Sequence, residues 1–188
     1  MVSVHMAAFE DFFLTHLGPK FLHVLYRSFI EDMHGIAWVA ISNSKLIGFA
    51  VGTRAPEGFF SRRIRKQGLA FLFAAIPALL RRPFLVSRRL AAAVRYRGER
   101  PKGLDGAWLL SSIAVHPNAQ GTGTGRQLLS EFVDCASDEQ AGSVYLLTDA
   151  VDNEQVERLY AAAEFSVHSQ LSRGRNRLMN VYVRRIDT

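Results

Sequence analysis

A short glycine-rich loop between an apolar run and a helix limits this sequence to few folds. The apolar run extends from Trp108 to Val115, and residues 120–125 read Gln-Gly-Thr-Gly-Thr-Gly, with glycine at every second place. Glycine allows positive φ and lets the backbone approach a ligand without a Cβ in the way. A helix that begins directly after such a loop presents unpaired N–H groups and the positive end of its dipole. The pattern predicts a strand, loop and helix that bind phosphate.

Two familiar nucleotide-binding loops do not match this stretch. A P-loop ends in Gly-Lys-Ser or Gly-Lys-Thr, whereas Gly125 is followed here by Arg126 and Gln127. A dinucleotide fingerprint has the spacing Gly-x-Gly-x-x-Gly and follows the first strand of its unit, whereas this loop lies well past the middle of the chain. A tight turn that binds nothing also accounts for alternating glycines.

The residues around the loop carry a more specific signal. Gln120, Gly123 and Gly125 fit the pattern Gln/Arg-x-x-Gly-x-Gly/Ala. Val115-x-Pro117 precedes this pattern and Leu128-Leu129 follows it. Together they resemble the pyrophosphate-binding motif of the GNAT acyltransferase superfamily, including its usual flanks.

A second motif follows in the order that this superfamily has. Asn153 is followed by Leu159-Tyr160 and then by Glu164-Phe165, where the superfamily has an Asn, a Leu-Tyr pair and a Gly-Phe pair. Glu164 departs from the usual glycine, which predicts a modified turn before Phe165. The two motifs cover the part of the chain after residue 107, and the first 107 residues resemble the superfamily only loosely.

The resemblance implies acetyl-CoA as the cofactor. Backbone amides of residues 121–126 would hold its pyrophosphate, assisted by two threonine hydroxyls and the guanidinium of Arg126. Ile113 and Val115 would pair with the pantetheine amides as one strand extends another. An N–H at Ile113–Ala114 would stabilise charge developing on the thioester oxygen. Asn153 would hydrogen-bond the pantetheine arm, cap the helix that follows it, or both. The implied cofactor-binding residues are Ile113, Ala114, Val115, Gln120, Gly121, Thr122, Gly123, Thr124, Gly125, Arg126, Asn153 and Tyr160.

The implied reaction is direct transfer of the acetyl group to an amine, or less often to a hydroxyl. Tyr160 stands where the superfamily carries its general-acid tyrosine, which would protonate the leaving thiolate. Phenols and thiols have comparable pKa values, so this proton transfer is thermodynamically reasonable. The alternative for Tyr160 is a packing role beside Leu159 in the core.

The general base is left unassigned. Many members of the superfamily use a glutamate on the cofactor strand, but this strand reads Trp-Leu-Leu-Ser-Ser from residue 108 to residue 112. Ser111 or Ser112 would order a water that relays the proton outward. Asp149 and His116 are the other candidates.

Length and composition fit a single α/β domain. The chain has 188 residues, 48% of them hydrophobic, which is enough for a substantial core. Strands and helices alternate in the C-terminal half, which predicts a mixed α/β sheet. We therefore expect one GNAT-like acyltransferase domain over residues 1–188, with a helical insertion at about 55–102.

Periodicity and turn residues place the individual elements. Gly18 separates two predicted helices, and Pro19 suits the first position of the second. The superfamily's usual first strand has only about eight residues available ahead of the first helix, so we expect it to be shortened or absent. Predicted helices are Phe9–Leu17, Pro19–Ile30, Gln127–Ser137 and Glu154–Ala163, and predicted strands are Ile36–Ser42, Lys45–Thr53, Ser143–Leu147, Val167–Leu171 and Leu178–Arg185, with turns at 43–44 and 173–177.

The insertion is strongly basic. Between Ser61 and Lys102, ten arginines and two lysines stand against one glutamate, which gives +11, while the rest of the chain carries −5. An apolar, helix-prone stretch at Gln67–Leu80 ends at Arg81-Arg82-Pro83, and Val86–Tyr96 predicts a second helix, so the segment resembles a helical hairpin.

Three interpretations of the insertion remain open. It caps the domain and leaves its arginines in water, it lies on an anionic membrane surface, or it attracts an acidic or phosphorylated acceptor. We expect no nucleic acid, because no recognised module accompanies the basic residues.

The remaining features concern compartment and chemistry. The single cysteine, Cys135, excludes an internal disulfide framework, and no Cys/His cluster has zinc spacing, so we expect no metal. Met1–His5 lacks the basic-then-apolar order of a secretory signal. We expect a cytoplasmic protein, peripheral at the inner membrane face if the insertion binds lipid, and a homodimer is left open.

The sequence thus predicts an acetyl-CoA-dependent N-acetyltransferase that acts on a primary amine of a small molecule. An amino sugar and a membrane-linked precursor are the candidate acceptors. The alternative function is a non-catalytic module that binds acyl-CoA and serves as a sensor or a membrane-surface adaptor.

Overall fold

A computed structural model describes residues 1–81, 83, 86, 101–151, 153–173 and 177–186. The described helices are α1 (Val2–Ala8), α2 (Phe13–His16), α3 (Pro19–Ile30), α4 (Phe59–Arg81), α5 (Thr124–Asp138) and α6 (Glu154–Ala162), with a 3₁₀ turn at Pro117–Ala119. The strands are β1 (Gly35–Ser42), β2 (Lys45–Thr53), β3 (Ala107–Val115), β4 (Ser143–Asp149), β5 (Ser166–Arg173) and β6 (Arg177–Arg185).

The six strands form one mixed sheet in the order β1-β2-β3-β4-β6-β5. Neighbouring strands are antiparallel except β3 and β4, which are parallel. A parallel pair needs a crossover connection, and α5 supplies it here. The predicted mixed α/β fold is confirmed.

The β1–β2 hairpin forms as its sequence predicts. Asn43 and Ser44 both have positive φ, at 47° and 60°. This is the backbone of a type I′ turn, whose twist matches that of the strands it joins. The next pairing, between β2 and β3, contains a bulge, because Val51 faces Ser112 while Gly52 faces Leu110.

The bulge leaves Ser111 as the extra residue of β3, and the partner position needs a glycine. A Cβ on Gly52 would lie 2.1 Å from the Leu109 carbonyl oxygen and 2.5 Å from the Phe132 ring. Only glycine fits under that ring without moving backbone. A bulge bends its strand and increases the local twist, here halfway along the strand that leads to the glycine loop.

Separate apolar clusters cover the two faces of the sheet. On one face, α5 contributes Leu129 and Phe132, which pack with Val144 and Leu146 of β4. On the other face, α1 and α3 pack on the sheet around Phe49. Both layers reach the end of β3, because Val115 packs against the first cluster and Ala114 belongs to the second.

The N-terminal segment differs from the prediction. The predicted helix Phe9–Leu17 is wrong over its first half, because helix forms only at Phe13–His16, while residues 2–8 form a helix that was not predicted. None of the described residues ahead of α3 is in a strand, so the superfamily's usual first strand is absent from this part of the chain. Gly18, at φ +88°, separates α2 from α3, and Pro19 takes the first helical position as predicted.

The insertion is described only in part. Its first arm is α4, which bends at Gln67, where φ is −128° and ψ is 17°. A buried ion pair holds the helix ahead of the bend, with Arg63 Nη2 2.6 Å from Asp32 Oδ2. Of the predicted second helix, Val86–Tyr96, only Val86 lies within the described residues, so the hairpin is not confirmed.

The C-terminal half matches the prediction closely. The helix predicted after the loop forms as α5, and the helix predicted after β4 forms as α6. Glu164 has φ +62°, a left-handed backbone conformation that glycine adopts more readily, so the predicted modification of this turn is not confirmed. β5 and β6 pair antiparallel as a hairpin, and residues 174–176 of its predicted turn lie outside the described residues.

Candidate functional site

The sheet opens between β3 and β4. These strands pair only through Ala107–Ser143, Trp108–Val144 and Leu109–Tyr145. Beyond these pairs, β3 continues with β2 as far as Val115, and β4 continues with β6 as far as Asp149. A wedge-shaped gap therefore opens toward the carboxyl ends of two parallel strands.

One edge of this gap is backbone of β3 that pairs with no strand. The His116 N–H donates to the Ile47 carbonyl at 2.8 Å, which fixes the phase of the antiparallel ladder with β2. Because hydrogen-bonded and non-hydrogen-bonded pairs alternate, Ala114 also bonds toward β2, opposite Phe49. Ile113 and Val115 therefore direct their N–H and C=O groups into the gap. Of the two N–H groups considered for the thioester oxygen, at Ile113 and Ala114, only that of Ile113 faces the gap.

The glycine loop closes the end of the gap. Gly121 and Gly123 have φ values of +76° and +85°, and a Cβ on either would meet nothing within 4 Å. Gly123 is the N-cap of α5, and no side chain caps the helix. The first helical bond of α5 runs from the Gln127 N–H to the Gly123 carbonyl, at 3.0 Å.

The amides of the loop form a row of donors. Within the described part of the chain, the backbone N–H groups of residues 121–126 donate to no backbone or side-chain acceptor. They stand at the positive end of a fifteen-residue helix, where a phosphate is favoured both by hydrogen bonding and by the helix dipole.

The two loop hydroxyls are engaged with the loop itself. Thr122 Oγ1 donates to the Ala119 carbonyl at 2.7 Å and lies 2.8 Å from Thr124 Oγ1. Thr124 is then the donor of the second bond, so both hydroxyl protons stabilise the loop. Gln120 Nε2 lies 3.5 Å from the Val115 carbonyl oxygen, and Arg126 is exposed in the first turn of α5.

A close contact joins the loop to α6. A Cβ on Gly125 would lie 3.5 Å from a Val115 methyl and 3.8 Å from a Leu159 methyl. These are ordinary van der Waals distances, so Gly125 lies next to both β3 and α6. Both sequence motifs are brought to the same end of the gap.

Asn153 marks the start of α6 at the far edge of the gap. It occupies the N-cap position, but its side chain makes no capping bond. Its Nδ2 instead donates to the Thr148 hydroxyl and, at 3.2 Å, to the Asp149 carbonyl. These two bonds fix the amide at the end of β4, so the capping alternative is wrong for the side chain.

Tyr160 lies about two helical turns further along α6 and is buried, with 6% of its surface exposed. Its ring centroid is 5.4 Å from that of Tyr182 and 6.0 Å from that of Phe165. Burial raises the pKa of the Tyr160 phenol well above its ordinary value, and the nearby Tyr182 raises it further. The phenol is therefore protonated at neutral pH, as a general acid must be.

Ser112 has a partner that was not predicted. Its Oγ lies 3.5 Å from the Tyr26 hydroxyl, which lies 2.5 Å from His5 Nδ1. Burial lowers the pKa of His5 to about 4, so this histidine is neutral at pH 7. Eighty-six positions separate Tyr26 from Ser112, and no local pattern indicates such a contact.

The other base candidates lie at the rim of the gap. His116 Nδ1 accepts the Asn118 N–H at 3.3 Å, which caps the 3₁₀ turn. Asp149 is the last residue of β4, next to Asn153. Ser111 is exposed at the bulge and Ser112 is half-buried.

A sheet that parts between two parallel strands, with a row of free amides at the mouth of the gap, defines an acyltransferase that binds an acyl-CoA. The chain belongs to the acetyltransferase (GNAT) family, whose model matches residues 3–165. Membership makes acetyl-CoA the cofactor and places the chain among the acetyl-CoA-dependent N-acetyltransferases, as the sequence predicts. The gap and its amides fit this cofactor.

Solved structures with the same fold have little sequence in common with the chain. An N-acetyltransferase from Staphylococcus aureus Mu50 superposes with a TM-score of 0.61 at 13% identity, covering 99% of this chain and 90% of the other. The ribosomal-protein-S18-alanine N-acetyltransferase from Escherichia coli gives 0.59 at 13% identity, covering 100% and 86%. The ribosomal-protein-alanine N-acetyltransferase from Brucella melitensis gives 0.60 at 14%, covering 98% and 91%.

These likenesses establish the fold and not the acceptor. No curated protein matches the sequence. Among the described residues, no helix has both the length and the apolar character needed to cross a membrane.

Proposed function

We propose that this protein transfers the acetyl group of acetyl-CoA to a primary amine of a small molecule. The observation that carries the proposal is the edge of β3 at Ile113 and Val115, which pairs with no strand and leads to the row of amides at residues 121–126. Acetyl-CoA supplies an activated thioester, and the protein supplies the orientation, hydrogen bonds and proton transfers described next.

The amides of residues 121–126 hold the pyrophosphate at the N-terminus of α5. Ile113 and Val115 continue the ladder of β3 onto the pantetheine arm, and the Ile113 N–H donates toward the thioester oxygen. The Asn153 side chain is oriented by its two bonds at the end of β4, which leaves its carbonyl oxygen to accept an N–H from the arm.

Tyr160 is the proposed general acid. Its raised pKa keeps the proton on the phenol until the thiolate leaves. The ring is held by Phe165 and Tyr182, which fixes the direction of the hydroxyl. The aromatic packing is thus compatible with both the acid role and the core role that the sequence left open.

The acceptor approaches from the side of the sheet that carries α3. Ser112 faces that side, because its hydroxyl lies against Tyr26 of α3. If the Tyr26 hydroxyl donates to the neutral His5 ring, the Tyr26 oxygen accepts a hydrogen bond from the Ser112 hydroxyl. The Ser112 oxygen can then accept a hydrogen bond from the amine that is to be acetylated. No base is assigned. An amino sugar and a membrane-linked precursor remain the proposed acceptors.

An acetyl-transfer assay tests this function. CoA thiol release should depend on both acetyl-CoA and an added primary amine, and mass spectrometry should identify the acetylated amine. The panel should include amino sugars, aliphatic amines, hydroxyl analogues of each, and peptides with a free N-terminus. Acetyl-CoA binding without release for any acceptor would contradict the proposal and favour the non-catalytic sensor or adaptor. That alternative has one observation behind it, the absence of a glutamate from β3.

A further inference from the structure

One face of α4 exposes a continuous row of large apolar side chains. Leu69, Leu72, Phe73, Ile76 and Leu80 are 72%, 53%, 66%, 39% and 80% exposed. Their spacing of three and four residues places them on one side of the helix. We call these five residues the apolar stripe.

The opposite face of α4 is firmly packed. Ala74, Ala75 and Ala78 are buried against Leu17 and Phe21. The ring of Phe71 adds a contact at 5.3 Å between centroids with Phe21. Because this face already anchors the helix, the stripe is free to serve a purpose other than the stability of the domain. A contiguous exposed apolar surface of this kind usually marks an interaction site.

The charges around the stripe identify its partner. Arg65 and Lys66 are exposed at one end and Arg81 at the other, and no acidic residue occurs between Glu57 and Glu99. The sequence that follows α4 adds further arginines. The apolar centre of a protein–protein interface is ordinarily surrounded by a rim of mixed polar residues. Aliphatic and phenyl groups flanked only by cationic side chains instead match the interface of an anionic bilayer.

We propose that the part of α4 after the bend at Gln67 lies flat on an anionic lipid surface. The apolar stripe enters the boundary between headgroups and acyl chains, and Arg65, Lys66 and Arg81 contact lipid phosphates. Among the described residues no helix is suited to crossing the bilayer, so this attachment is peripheral. The proposal concerns the surface of α4 alone and does not depend on acetyl transfer.

Flotation of the full chain with vesicles tests the proposal. Binding to vesicles of phosphatidylcholine with 30% phosphatidylglycerol should be at least about tenfold stronger than to pure phosphatidylcholine, and should weaken as salt is added. The triple variant Leu69→Gln/Phe73→Gln/Leu80→Gln should lose at least about tenfold of that binding. Its melting temperature should stay near that of the wild type, because the three side chains are exposed.

Control variants distinguish vesicle binding by the apolar stripe from nonspecific binding by other exposed apolar or basic residues. Val39 and Ile41 are 45% and 66% exposed on β1, so Val39→Gln/Ile41→Gln removes exposed apolar side chains away from the stripe and should bind vesicles normally. Arg65→Gln/Lys66→Gln should weaken binding about tenfold or more, while Lys45→Gln, at the exposed β1–β2 turn, should not.

Three results would overturn the proposal. The first is equal binding to charged and uncharged vesicles. The second is vesicle binding that the triple variant retains. The third is a wild-type dimer that the triple variant converts to a monomer without any lipid dependence, because the stripe would then cover a second copy of the chain.

Discussion

Gly123→Asp should weaken acetyl-CoA binding by at least about 100-fold, or about 2.7 kcal/mol. Gly123 has φ +85°, a conformation that a side chain adopts only at a cost, and it forms the N-cap of α5. The new carboxylate would accept bonds from the amides of the loop and would repel the pyrophosphate. Isothermal titration calorimetry with acetyl-CoA measures the change directly.

Gly103→Asp is the matched control for this variant. Gly103 has φ +77°, and a Cβ there would meet nothing within 4 Å. The substitution introduces the same backbone strain and the same charge in a turn ahead of β3, away from the glycine loop. Acetyl-CoA affinity should stay within about twofold of wild type. Unchanged affinity in Gly123→Asp, or an equal loss in the two variants, would remove the loop from the cofactor site.

Tyr160→Phe should lower kcat by about 100- to 1000-fold while leaving the acetyl-CoA dissociation constant within about twofold. The substitution keeps the ring that packs on Phe165 and Tyr182 and removes only the hydroxyl that would protonate the thiolate. Steady-state kinetics with an excess of amine, together with calorimetry, separate the two quantities.

The pH profile and a second tyrosine sharpen this test. Because burial raises the pKa of Tyr160 above its ordinary value, the phenol stays protonated as the pH rises toward 10, and kcat should not decline there through loss of this proton. Tyr182→Phe removes a hydroxyl from the same aromatic group and should cost only a few-fold in kcat. Full turnover in Tyr160→Phe would leave Tyr160 with a packing role alone.

The parts of the fold that could be predicted depend on local chemistry. Asn43 and Ser44 specify a tight hairpin turn because Asn tolerates positive φ and the flanking strands alternate. The strand, glycine loop and α5 are encoded within residues 107–138, where an apolar run, small residues and a helical pattern follow each other. A single sequence is enough for such features, because each one forms from residues that are close along the chain.

The parts that could not be predicted depend on contacts between distant residues. The bulge at Ser111 lies opposite Gly52 on another strand, where a Cβ would clash with the Phe132 ring, and neither residue is unusual by itself. Hydrogen bonds from His5 to Tyr26 and from Tyr26 to Ser112 join α1, α3 and β3, which are far apart in the sequence. Pairing of Ile113 and Val115 with a ligand in place of β4 is expected only through the resemblance, since the apolar residues of β4 fit a fully paired strand equally well.

Amide chemical shifts of the ¹⁵N-labelled chain, titrated separately with CoA, ADP and pantetheine, test the central claim most directly. CoA should move the resonances of residues 121–126 together with those of Ile113 and Val115. ADP, which carries a diphosphate without the arm, should move only the loop, and pantetheine, which lacks the diphosphate, only the two strand residues. Loop amides that stay unmoved at saturating CoA would contradict the account.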